Sequence, residues 1–157
     1  MNLFEIFNIE PLPEIVVEYP VGSGIFHIPI EEVKKMLWDD FASWGTSNFK
    51  FAMTPIGHKI YISASVELTV YHDGLSSTLD KFTFVGAHTF IEGESTTGEV
   101  NDNYEATALA ECIKNASKNL GRKYGMFLNT KRIANRIPPP TEKPNMKDSV
   151  KSILRNT

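Results

Sequence analysis

Cysteine is all but missing from this sequence. Cys112 stands alone among 157 residues, which excludes an intrachain disulfide and a thiolate metal cluster. No apolar run approaches the length, about eighteen residues, that a membrane-spanning helix needs. The opening MNLFEIFNIE has neither the basic end nor the cleavage site of a signal peptide. A reducing, cytoplasmic setting with no membrane partner is therefore expected. Motifs of catalysis are missing too. The four histidines, His27, His58, His72 and His88, form no HxH or HxxxH ligand pair, no serine sits in a G-x-S-x-G elbow, and there is no Walker loop. Gly22-Ser23-Gly24 lacks the third glycine of a dinucleotide loop, and His72-Asp73 falls at a hairpin turn rather than on the helix a metal phosphohydrolase requires. The chain reads as a non-enzyme without cofactor or metal.

What is present is one domain's worth of ordinary globular composition, with charge sorted along it. The net charge is −3, which taken alone argues against a nucleic-acid protein. Residues 1–112 hold five basic residues against seventeen acidic ones, whereas residues 113–157 hold eleven basic against only Glu142 and Asp148. Between Ile113 and Ile137 there is no carboxylate, and seven cations: Lys114, Lys118, Arg122, Lys123, Lys131, Arg132 and Arg136. Segregation of this kind sets up a local positive field that the total conceals. Its plainer explanation is a solvated helix face followed by a polar tail.

In chain order, prolines at 11, 13, 20 and 29 make the first thirty residues irregular, and EIVVEY at residues 14–19 is expected as a peripheral strand. Ile30, Val33, Leu37 and Phe41 share a helical face that Gly45 is expected to end, with Glu31, Glu32, Asp39 and Asp40 elsewhere. Trp38 and Trp44 are core anchors by default and ligand platforms otherwise. Three strands follow, at residues 47–53, 59–72 and about 78–91. In the middle one, Ile60, Ile62, Ala64, Val66, Leu68 and Val70 point one way, while Lys59, Tyr61, Ser63, Ser65, Glu67, Thr69 and Tyr71 point the other. Gly86 marks a bulge or a close approach. EGESTTGEVND at residues 92–102 reads as a loop.

Residues 103–129, NYEATALAECIKNASKNLGRKYGMFLN, read as one long amphipathic helix capped by Asn101, Asp102 or Asn103. Ala106, Leu109, Ala110, Ile113, Ser117, Leu120, Tyr124 and Phe127 form its apolar side. Cys112 is expected as a small buried residue. Lys114, Lys118 and Arg122, four apart, draw a cationic stripe along the flank. Gly121 and Gly125 mean that something packs closely there or that the helix ends. The predicted fold is α+β: an N-terminal helix, a three-stranded antiparallel sheet, and the long basic helix across one face, a β-β-β-α core. The domain spans residues 1–137. Residues 138–157, led by three prolines, are expected as a flexible basic tail, with Met146, Val150, Ile153 and Leu154 able to form an amphipathic turn on a partner.

ECIKNASKNLGRKYGMFLN, residues 111–129, resembles the signature helix of the Rad fifty-two family of single-strand DNA annealing proteins. Glu111, Ile113, Lys114, Ala116, Lys118, Gly121 and Gly125 match its pattern, and Asn115 stands where that pattern has a second basic residue. SVELTVYHDG and FTFVGAHTFIEGE resemble the family's hairpin, and residues 30–51 its preceding helix and first strand. The resemblance implies ATP-independent annealing of complementary strands by a homo-oligomer, ring or filament, of the kind found in phage recombination proteins. It implies a positive groove in which Lys114, Lys118 and Arg122 hold phosphates. Lys123, Lys131 and Arg132 are candidate additional cations, and Lys50, Trp44, Tyr61 and Tyr71 candidate side contacts and stacking platforms. The tail is a candidate docking segment for a single-strand-binding protein. Two other readings stay open: a non-DNA interaction module whose basic helix and tail dock on an acidic partner, and a metal-dependent nuclease using Glu92, Glu94, Glu99 and Asp102.

Overall fold

The computed structural model describes residues 2–73, 79–91 and 103–129. The chain runs through α1 (Leu3–Asn8), a 3-10 turn (Pro13–Ile15), β1 (Val17–Glu18), β2 (Phe26–His27) and α2 (Ile30–Asp40). Then come β3 (Ser43–Ile56), β4 (Lys59–Asp73), β5 (Leu79–Ile91) and α3 (Tyr104–Ser117), followed by 3-10 turns at Lys118–Leu120 and Arg122–Tyr124. The architecture is α+β. A three-stranded antiparallel sheet, ordered β3-β4-β5, carries α2 and α3 on one face, and β1 and β2 form a separate antiparallel ribbon. The postulated tail and the acidic loop at residues 92–102 lie outside the described residues. Among those described, no helix is long and apolar enough to cross a membrane.

The period-two pattern dictates the sheet. Ile62, Ala64, Val66, Leu68 and Val70 are all buried, while Lys59, Tyr61 and Ser63 are exposed on the opposite face. A two-residue loop, Gly57-His58, joins β3 to β4 between the paired residues Ile56 and Lys59, with Gly57 at φ +62°. β3 is longer than the alternating run predicts because the register slips between Ser47 and Lys50. Asn48 takes φ +53° there, and its amide donates to Glu67 Oε2 across the strand pair at 2.8 Å. That bulge re-aims the strand and hides its pattern from a simple periodicity count.

Gly86 is a site of close approach and not a bulge, since its pairing with Val66 is regular. A Cβ at that position would overlap the Cys112 carbonyl oxygen and lie 2.6 Å from the Ala116 nitrogen. Helix α3 thus lies directly on the β5 backbone. This explains which of its residues are buried: Ala108, Cys112, Ile113, Ala116 and Ser117. The expected apolar side is rotated, with Ala106 exposed and Leu109 and Ala110 only half-buried. Small residues face the sheet because the backbones are too close for large ones.

The long helix is also shorter than its periodicity suggests. It is capped by Asn103, whose Oδ1 accepts from the Ala106 amide at 3.2 Å, and it gives way to a 3-10 turn at Lys118. Gly121 at φ +125° and Gly125 at φ +88° then turn the chain twice. Any Cβ on Gly121 would collide with the Cα of Phe7, so α1 packs at the point where the helix has ended. Two further corrections concern α2. It stops at Asp40, so Gly45 does not end it and lies within β3. Asp40 is buried, although the helical wheel places it off the apolar face. In the N-terminal region only Val17 and Glu18 of the expected strand pair, with Phe26 and His27, because the flanking prolines withdraw amide donors.

Candidate nucleic-acid interface

Ending the helix at Ser117 dismantles the four-residue stripe. Lys114, still on α3, forms an ion pair with Glu111 one turn earlier. Lys118 follows the helix end, and its ammonium donates to Asn115 Oδ1 at 2.9 Å. Asn115 in turn donates through Nδ2 to the Ala87 carbonyl at 2.9 Å. The asparagine that stands in a basic position of the resembling motif therefore ties Lys118 to the sheet. Burial pushes the Lys118 amine below its ordinary range, and the neighbouring charge of Lys114 adds to that.

Arg122 and Lys123 leave the flank in two directions. Arg122 bonds Glu10 Oε1 at 3.0 Å and lies over the Phe127 ring, 6.0 Å from its centroid. Lys123 turns inward to Asp40 Oδ1 at 2.6 Å, where Asp40 Oδ2 also accepts from the Tyr124 hydroxyl at 2.9 Å. That cluster joins α2 to the segment after α3. Burial, then the Asp40 charge, drive the Tyr124 phenol far upward, so it stays protonated as a donor. Lys123, expected as an additional cation, is thus tied to α2 by the buried Asp40.

The two lysines that remain together border a cleft of about 370 Å³. Lys114 with its partner Glu111, Lys118 and Asn119 line one part of it, Phe26 and His27 of β2 another, and Phe127 a third. The walls are joined by Asn129, whose side-chain amide pairs with the Phe26 backbone: Oδ1 accepts from the Phe26 amide at 2.9 Å and Nδ2 donates to its carbonyl at 2.9 Å. Phe127 is 59% exposed, with the Arg122 guanidinium over its ring, and Phe26 is 38% exposed. Two histidines sit in the same field. Burial holds His27 below its usual value, helped by the positive charge of Lys114. His88 on β5 is also held down by burial, against an opposing pull from Glu111 and with Lys114 and Lys118 pushing the same way as burial.

The other expected contacts are scattered. Lys50, Tyr61 and Tyr71 lie on the sheet face opposite α3, where Lys50 pairs with Ser65 and Tyr71 with Ser43. Strand alternation forbids them from reaching Lys114 and Lys118. Trp44 faces the helix side, half-buried against Trp38 with ring centroids 5.6 Å apart. Its indole nitrogen is buried without a hydrogen-bond partner among the described residues. Trp44 is a packing residue, and Trp38 carries the exposed ring of that pair. Lys131 and Arg132 lie outside the described residues, as do Glu92, Glu94, Glu99 and Asp102. Among the described residues no three His, Cys, Asp or Glu side chains converge to hold a metal.

Sequence reasoning missed Phe26, His27, Asn119 and Asn129, and it placed Phe127 on a core face. The only local signals were Gly125, which lets the chain turn so that Phe127 (φ +68°) swings outward, and the proline-bounded β2. Compared with models of known protein families, the chain matches none, and no curated protein sequence matches it.

Proposed function

We propose that this chain binds single-stranded DNA without catalysis and, as a homo-oligomer, promotes annealing of complementary strands without ATP. The observation that carries the reading is the cleft that gathers Lys114 and Lys118 with the partly exposed rings of Phe26 and of Phe127, the latter bearing Arg122 over its ring. Ammonium groups next to stackable aromatics suit a strand held by its backbone, with bases resting on rings that read no sequence. The β-β-β-α order and the motif resemblance at residues 111–129 support the same conclusion. The carboxylate partners of Lys114, Arg122 and Lys123 count against a grip by a full stripe. The grip per protomer is therefore narrow, and useful affinity comes from repeating the cleft along one strand in a ring or filament.

A gel shift with single- and double-stranded DNA at low and moderate salt tests this. The parent chain binds the single strand, and Lys114→Ala with Lys118→Ala abolishes the shift while circular dichroism stays unchanged. Binding that survives both substitutions at low salt overturns the proposal. A second reading, a non-catalytic interaction module, draws on the apolar side chains that α1 and its neighbours leave in solvent, Phe4, Leu12 and Val21 among them. It forecasts no shift with either DNA.

A further inference from the structure

The N-terminal elements are acidic and apolar at once. Residues 1–33 contain Glu5, Glu10, Glu14, Glu18, Glu31 and Glu32 and neither lysine nor arginine. Helix α1 buries Ile6 but leaves Phe4 77% exposed and Phe7 46% exposed, one turn apart on the same side. Ile9 and Leu12, which follow α1 in the chain, are also exposed, Leu12 by 60%. This apolar surface abuts the end of the described chain: Phe7 touches Gly121, Glu10 holds Arg122, and Arg122 lies over Phe127. An apolar strip rimmed with carboxylates selects a segment that is apolar and basic.

The chain carries such a segment. In KPNMKDSVKSILR, residues 143–155, Lys143, Lys147, Lys151 and Arg155 recur every four residues, and Met146, Val150 and Leu154 recur beside them at the same spacing. On a helix those two sets form adjoining stripes, one cationic and one apolar. Residues 130–157 hold seven basic residues against two acidic ones. Asn129, where description ends, is bonded to the β2 backbone beside the N-terminal region. The thirteen residues 130–142 span up to about 45 Å when extended, more than enough to return to α1. We propose that residues 143–155 dock as an amphipathic helix on the apolar, glutamate-rimmed face of α1 and residues 9–12 of the same chain, Met146, Val150 and Leu154 against Phe4, Phe7 and Leu12.

The docking does not depend on what the cleft binds. It is tested by amide hydrogen exchange on the full-length chain against full-length K147E/K151E/R155E. Exchange at residues 3–12 is expected to be about tenfold slower in the parent, at every protein concentration. Equal rates in the two proteins overturn the proposal. Slowing that disappears on dilution assigns the contact to a second copy and overturns docking within one chain. Adding E14K to the triple variant, which leaves the Glu10–Arg122 pair intact, restores part of the ionic match in reverse and should bring slow exchange back. Rates that stay fast overturn the assignment to this face.

Discussion

Lys118→Ala isolates the electrostatic grip of the cleft with little collateral damage. The side chain lies past the end of α3 on an exposed residue, and its hydrogen-bond acceptor is the neutral Asn115. Removing it strands no buried charge, so folding stability should change by no more than about 0.5 kcal/mol. Binding should change in a characteristic way. Each phosphate neutralised on a single strand contributes about −0.7 to the slope of log affinity against log salt. With Lys114 and Lys118 both engaged, each protomer contributes about −1.4, an affinity loss of about sevenfold between 50 and 200 mM salt. Without Lys118 the slope per protomer falls to about −0.7 and the loss over the same interval to about 2.6-fold. Fluorescence anisotropy of a labelled oligothymidylate across five salt concentrations reads this directly. An unchanged slope would mean that Lys118 meets no phosphate, and the cleft would then not be the binding site, whatever happened to affinity at one salt concentration.

Three other outcomes follow from the packing and the titrating groups. Gly86→Ala should destabilise the fold by about 1–3 kcal/mol in urea unfolding, because the new methyl meets the α3 backbone, which has no side chain to swing aside. Asp40→Asn should cost about 3 kcal/mol by the same measurement, since Lys123 and Tyr124 both lose a buried carboxylate. His27 and His88 have folded-state values below 6.5, so the unfolded chain takes up more protons. Their contribution to stability is complete above that value and is lost as pH falls through the folded-state range. Urea midpoints measured from pH 7.5 down to 5 should decline, and His88→Gln should flatten part of that decline.

The sheet and its faces were legible because a half-buried strand repeats every two residues, and β4 keeps that rule from Lys59 to Tyr71 without a break. Gly86 was legible as a site with a purpose, because a glycine inside a strand loses packing unless a neighbour needs the room. The end of α3 was only half legible, since Gly121 and Gly125 allowed it without fixing it. Leu120, Tyr124 and Phe127 continue the helical spacing, and nothing local distinguishes a buried tyrosine in a 3-10 turn from one in a helix. The helix stops at Ser117, and beyond the following 3-10 turn the backbone of Phe7 lies against Gly121, a contact far away in sequence. The site suffered in proportion. The spacing named Lys114 and Lys118, which do line one cleft, whereas the partners of Arg122 and Lys123 are Glu10 and Asp40, both more than eighty positions away.

The amide of Asn129 grips the Phe26 backbone with two hydrogen bonds across 103 positions. During synthesis the β2 wall emerges early, and its opposite wall is the last described stretch to leave the ribosome. A nascent chain therefore has no complete cleft until residue 129 is free to close it. The cleft is completed only at the end, after the sheet and α3 have left the ribosome, so its two sides are joined by the last described residue of the chain.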